Sequence, residues 1–168
     1  SLRQFNDQLN LKKPTLSQVF GAFSIGIALI LANLSFIGPL SIKIFGENPK
    51  ETEAFQQIIS SEQFGLVFLS LAIMPAICEE FLIRGTLLPA IKSRTNSLIA
   101  IALSAILFGM MHFSAMRFLP TTFFGVILAL AYLRSDNLIV AILIHLINNG
   151  VALILGELNS LQKLSQTL

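Results

Sequence analysis

The sequence predicts an all-α fold: a polytopic transmembrane helical bundle with about five membrane helices. Three observations predict it. Of 168 residues, 54% are hydrophobic and 12% charged, and the mean hydropathy is +0.78, whereas soluble domains carry about 25% charged residues. The charges fall mostly between long uncharged runs. The polar groups inside those runs gather in three clusters. The net charge of +2 is too small to indicate a nucleic-acid partner, and Cys78, the single cysteine, cannot form an intrachain disulfide. Trp is absent, so aromatic anchoring falls to 14 Phe and Tyr132.

The spans follow in order. Residues 14–42 are long enough for a membrane helix of about 20 residues. Their apolar stretch exceeds the roughly 7–15 residues of a signal-peptide core, so a helix is expected rather than a cleavable leader. The chain begins at Ser1 rather than Met, which is compatible with further helices upstream. Residues 64–91 form a second span that must tolerate Glu79, Glu80 and Arg84. Residues 95–116, 118–133 and 137–156 give the third, fourth and fifth. Residues 1–63 therefore read as an N-terminal helix plus an interfacial segment, 64–156 as the core, and 157–168 as a short tail.

Between the first two spans, Asn48, Pro49 and Glu51 have the spacing of a helix N-terminus. Phe55, Ile58 and Ile59 then form an apolar stripe, which predicts a short helix on the membrane surface. Ser60 and Gln63 have the spacing of a second cap, opening span two. With the N-terminus inside, the inner side holds Arg3, Lys12, Lys13, Lys92, Arg94 and Arg134. The outer side holds Lys43, Lys50, Arg117 and Lys163. Six against four favours that orientation.

The stretch CEEFLIRG, Cys78 to Gly85, follows 14 uncharged residues. An ionised group at mid-bilayer costs about 2.5–3.5 kcal/mol, so it needs a partner or a function. Glu80 and Arg84 are at i and i+4 and share a helix face. Glu79 lies about 100° away and is left free. Pro75, one turn earlier, removes a helical hydrogen bond and opens the site. His112 closes span three, with Phe108 one turn before it. In span five, His145 and Asn149 share a face while Asn148 is expected to point elsewhere. At 1.5 Å per residue, Glu79, His112 and Asn149 lie about 20, 22 and 17 Å from the inner ends of their helices. His145 is slightly shallower. A free Glu, two His and an Asn thus share one layer.

Glu plus His can deprotonate a water, and His with Asn can donate to a developing oxyanion. Together they suffice for amide hydrolysis without a covalent intermediate. The same Glu79, His112 and His145 could instead hold Zn²⁺ with an open position for water. The soluble zinc-protease signature H-E-x-x-H is absent. Two other readings stay open: a proton or ion-coupled transporter, because intramembrane Glu, His and Arg also build relays, and a catalytically silent scaffold or immunity protein.

Three motifs carry a resemblance. EEFLIR (Glu79–Arg84) matches E-E-x-x-x-R, FGMMH (Phe108–His112) matches F-x-x-x-H, and HLINN (His145–Asn149) matches H-x-x-x-N. In that order, over residues 64–156, they resemble the CPBP family of CAAX proteases and bacteriocin-processing enzymes, also called Abi proteins. The resemblance implies a helical intramembrane endopeptidase. Glu79 and His112 would activate water, His145 and Asn149 would stabilise the oxyanion, and Glu80, Arg84 and Phe108 would support the site. It also implies a metalloprotease using Zn²⁺, or a metal-independent glutamate mechanism. The implied substrate is a lipidated protein end or membrane peptide. The location would be the plasma membrane in a prokaryote, or an ER or organelle membrane in a eukaryote. Oligomeric state is not indicated.

Overall fold

A computed structural model describes residues 9–60 and 63–167, with side chains as far as Asn159. Helix α1 is Leu16–Phe45, α2 is Pro49–Ile59, and α3 is Phe64–Lys92. Helix α4 is Ser97–Met110, α5 is Ala115–Ser135, and α6 is Leu138–Thr167. Among the described residues there is no strand. Four of these helices are long and apolar enough to cross a membrane, and the chain is an integral membrane protein. Arg3 lies outside the described residues, as does the side chain of Lys163.

Span three is shorter than expected. The expected run 95–116 breaks after Met110, leaving a helix of 14 residues, about 21 Å long. Phe113 takes a left-handed backbone (φ 49°), and Ser114 starts α5 by accepting a hydrogen bond from the Arg117 amide. Uncharged composition could not show this break, because a turn of Met, His and Phe is as apolar as a helix. Asn96 caps α4, accepting from Ile99 N at 2.9 Å. Gln63 stands at the start of α3 without a side-chain cap bond, and Ser61 and Glu62 lie outside the described residues.

Prolines shape the long helices. Among the described residues, three π-helical turns occur, at Asn33–Ile37, Leu69–Ile73 and Ile83–Leu87. Each ends two residues before a proline: Pro39, Pro75 and Pro89. A wider turn there relieves the clash between the proline ring and the preceding turn. Two carbonyls that lose their helical donor to a proline are met by side chains of other helices. Pro120 has no N–H for Met116 O, and the Ser41 hydroxyl donates to that oxygen at 2.7 Å. Pro75 has none for Leu71 O, and the Asn149 amide donates there at 3.3 Å.

The two ends of the bundle are fixed separately. At one end the segment before α1 pairs with the α5–α6 turn. Lys12 pairs with Asp136, Asn137 donates to Lys12 O at 2.9 Å, and Leu138 N to Asn10 O at 3.1 Å. At the other end α2 docks on the start of α5. Glu51 pairs with Arg117 at 2.6 Å and accepts from Ser114 at 2.9 Å. Asn48 and Pro49 start α2 as expected, the Asn48 side chain accepting from Glu51 N. Ile59 is fully buried and Phe55 packs beside it, whereas Ile58 stays exposed.

Helices α1 and α6 approach closely where Gly26 faces Ile147. A Cβ at Gly26 would lie 2.7 Å from Ile147 Cγ2, so small size here sets the helix separation. Gly26→Leu is expected to destabilise the protein by about 1–3 kcal/mol through overpacking. Gly21→Ala, at a position with nothing within 4 Å, should leave stability unchanged. Thermal unfolding in detergent, followed by gel filtration, compares the two.

Candidate active site

Helix α3 carries Glu79 and Glu80 between its two π turns and Arg84 within the second. Glu80 and Arg84 are fully buried and paired at 2.8 Å. A second guanidinium nitrogen of Arg84, Nη2, donates to Gly125 O at 2.9 Å. That reach is possible because α5 lies against α4 at Gly125, where a Cβ would meet Ala105 and Phe108. The guanidinium also lies 4.7 Å from the centroid of the Phe108 ring. The same Glu80 oxygen that meets Arg84 contacts His145 Nδ1 at 2.8 Å. Glu80 thus joins α3 to α6, a partnership the i,i+4 spacing alone did not reveal.

This bond orients His145. With Nδ1 donating to Glu80, Nε2 faces away from the carboxylate that holds the ring, as an acceptor in the neutral imidazole or a donor in the imidazolium. Nε2 lies 3.9 Å from Glu79 Oε2. That oxygen is buried and has no hydrogen-bond partner among the described residues. The doublet therefore divides: Glu80 is held through Oε1 by Arg84 and His145 and keeps Oε2 unpartnered, while Glu79 has its unpartnered oxygen beside His145 Nε2.

His112 sits in the turn after α4, its Nδ1 3.0 Å from Phe108 O. The Phe108 ring touches both histidines, with centroid separations of 5.2 Å to His112 and 5.9 Å to His145. Phe124 packs on His145 from α5 at 5.1 Å. Asn149 donates to Leu71 O, and its own oxygen accepts from Asn148 at 3.2 Å.

A cavity of about 380 Å³ adjoins the assembly, with Phe108, His112, His145 and Asn149 in its wall. The three helices that carry the motifs do not enclose it by themselves: α1, α2, α5 and α6 supply most of its lining. The reason is volume: Arg84 and Phe108, both fully buried, fill the space between α3, α4 and α5. Asn148 also lines the cavity, correcting the expectation that it points elsewhere. Asn33 of α1 lines it too. An Asn inside an otherwise apolar span was the available signal for it. Glu79 is not part of that wall and meets the assembly at His145.

The structure brings Glu79 to His145 rather than to His112. Among the described residues, no three His, Cys, Asp or Glu side chains converge as a metal site. Glu79, His112 and His145 are thus not gathered into a three-donor set for Zn²⁺ in this conformation. The uncommitted Glu79 oxygen and His145 Nε2 form a pair of donors.

Residues 61–151 match the sequence profile of the Rce1-like family, described as type II CAAX prenyl endopeptidase. The chain is 28% identical over 159 residues to the membrane-embedded CAAX protease MroQ of Staphylococcus aureus (strain USA300), covering 90% of this chain and 64% of that protein. It is 28% identical over 131 residues to a protein of Bacillus subtilis (strain 168) described as a membrane peptidase, YdiL, covering 77% of this chain and 53% of the relative. The chain thus spans between half and two thirds of the length of these relatives. No solved structure matches it significantly.

Removing one member of a buried ion pair strands the other. Arg84→Met is expected to cost about 3–5 kcal/mol. The double variant Glu80→Leu/Arg84→Met should recover part of that loss, because no unpaired charge remains. Equilibrium unfolding in mixed micelles of wild type, both single variants and the double variant measures this coupling.

Proposed function

We propose that this chain, which belongs to the Rce1-like type II CAAX prenyl endopeptidase family, is a membrane-embedded endopeptidase. It would hydrolyse peptide bonds of membrane-associated or lipidated peptides by attack of a water activated at Glu79. One observation carries this reading: the buried Glu79 oxygen, without a partner among the described residues, 3.9 Å from His145 Nε2. Buried carboxylate oxygens are normally hydrogen-bonded. The gap is too long for a direct bond, but two bonds of about 2.8 Å meet across it at roughly a right angle. A water fits there.

The chemistry then needs the chain's own groups. Glu79 takes a proton from the water as the water oxygen adds to the scissile carbonyl carbon. The carbonyl π electrons move to oxygen, and the tetrahedral oxyanion is met by N–H donors from His145 and Asn149. His112, on the other side of the Phe108 contact, lines the same cavity and is the second polarising group toward water and carbonyl. As the intermediate collapses, the C–N bond breaks and the proton on Glu79 passes to the leaving amine. Glu80 and Arg84 hold His145 in register without touching substrate. The three motifs, in order on α3, α4 and α6, support these assignments.

The purified protein, reconstituted in vesicles, is to be assayed on a farnesylated CAAX peptide and a panel of membrane peptides. Glu79→Gln should lose about 10²–10⁴-fold in cleavage while unfolding like wild type. Cleavage by Glu79→Gln at the wild-type rate, or no cleavage of any peptide by wild type, would sink the reading in favour of a transporter or scaffold. Metal content and chelator sensitivity are read in parallel. Activity is expected to persist in metal-depleted protein. Near-stoichiometric Zn²⁺, lost together with activity in His112→Ala, would replace this mechanism with a zinc-dependent one.

A further inference from the structure

Helix α1 lies outside the family match, yet it forms one wall of the cavity beside His145 and Asn149. Within that wall Asn33 is a carboxamide in an otherwise apolar stretch that includes Leu29, Ile37 and Ile42. Asn33 opens the first π turn, Asn33–Ile37, and such widened turns recur at functional sites. Gly38 leaves room for it: a Cβ there would lie 2.8 Å from Asn33 O and 3.4 Å from its side-chain oxygen. Among the described residues, none hydrogen-bonds the carboxamide. A polar side chain at this depth ordinarily bonds to a neighbouring helix. Asn33 is instead exposed and lines the cavity.

Its level can be placed. Gly26 packs against Ile147, so these two mark one height in helices that run in the same direction. Asn33 is seven residues beyond Gly26 and Asn149 two beyond Ile147, which puts Asn33 about 7 Å farther along the cavity. Extended chain advances about 3.4 Å per residue. A peptide whose scissile carbonyl faces His145 and Asn149 would present to Asn33 a peptide unit about two residues away. A carboxamide sets N–H donors beside a carbonyl acceptor, the complement of a peptide group.

We infer that Asn33 is a substrate-binding residue, hydrogen-bonding the peptide backbone about two residues from the bond that is cut. This rests on the endopeptidase reading. The partner chemistry is main-chain amide, independent of side-chain identity.

The test uses the full chain in vesicles with the farnesylated CAAX peptide, or whichever panel peptide is cleaved, its cut site mapped by mass spectrometry. Backbone esters, which replace a peptide N–H by O, are introduced one to three residues to either side of that site. In wild type, an ester about two residues away should raise KM by roughly two- to tenfold, the range of one hydrogen bond. In Asn33→Leu, KM for the all-amide peptide should rise by a similar factor, and the penalty of that ester should vanish. Asn33→Ser serves as a second, polar variant if Asn33→Leu folds poorly. Equal ester penalties in wild type and both variants, or an unchanged KM, would overturn the inference while leaving the endopeptidase reading intact. If wild type cleaves nothing, that reading fails instead. Binding of a dye-labelled farnesylated CAAX peptide to wild type and Asn33→Leu then decides the inference separately: weaker binding by the variant supports it, and equal or absent binding overturns it.

Discussion

The buried contact of Glu80 with both Arg84 and His145 is the constraint around which the rest is arranged. Two charges in a membrane interior are tolerated when each has a partner and the remaining polar atoms are largely met. Arg84 is partnered by Glu80, the Gly125 carbonyl and the face of Phe108, while its Nε and Glu80 Oε2 have no partner among the described residues. Its length lets it link α3 to α5 while lying within α3's own turn. Glu80 then carries the link to α6. Three helices are thereby held at one level by one ionic network, which fixes the ring plane of His145 as well.

Around this network the backbone repeatedly turns proline's missing donor into a tertiary contact. A proline inside a helix leaves a carbonyl without its usual N–H. Here two such carbonyls are taken by side chains from other helices: Met116 O by Ser41 and Leu71 O by Asn149. The first ties α1 to the start of α5. The second fixes the amide of Asn149 one turn beyond His145. The local flaw in one helix becomes the docking point for another.

The cavity follows from what fills the space elsewhere. Phe108 and Arg84 occupy the centre between α3, α4 and α5, so open volume is left on the α1 side of His145. That places helix α2, clamped by Glu51 to Arg117 and Ser114, over one end of the cavity, with Thr52 and Phe55 in its wall. The N-terminal helix and surface helix are thus part of the site's architecture, although the recognisable motifs lie entirely in the later helices.

The sequence by itself determined the membrane class, the approximate spans and the pairing of Glu80 with Arg84. Each of these depends on composition or on helical periodicity, both of which are local properties. It determined the family as well, through three spaced motifs. Tertiary structure decided what periodicity cannot encode. It ended α4 at Met110, because an apolar turn is compositionally indistinguishable from an apolar helix. It gave Glu80 its second partner and set Glu79 beside His145, because contacts between helices depend on crossing and rotation. It turned Asn148 and Asn33 toward the cavity, because which face of a membrane helix meets protein rather than lipid is fixed by its neighbours.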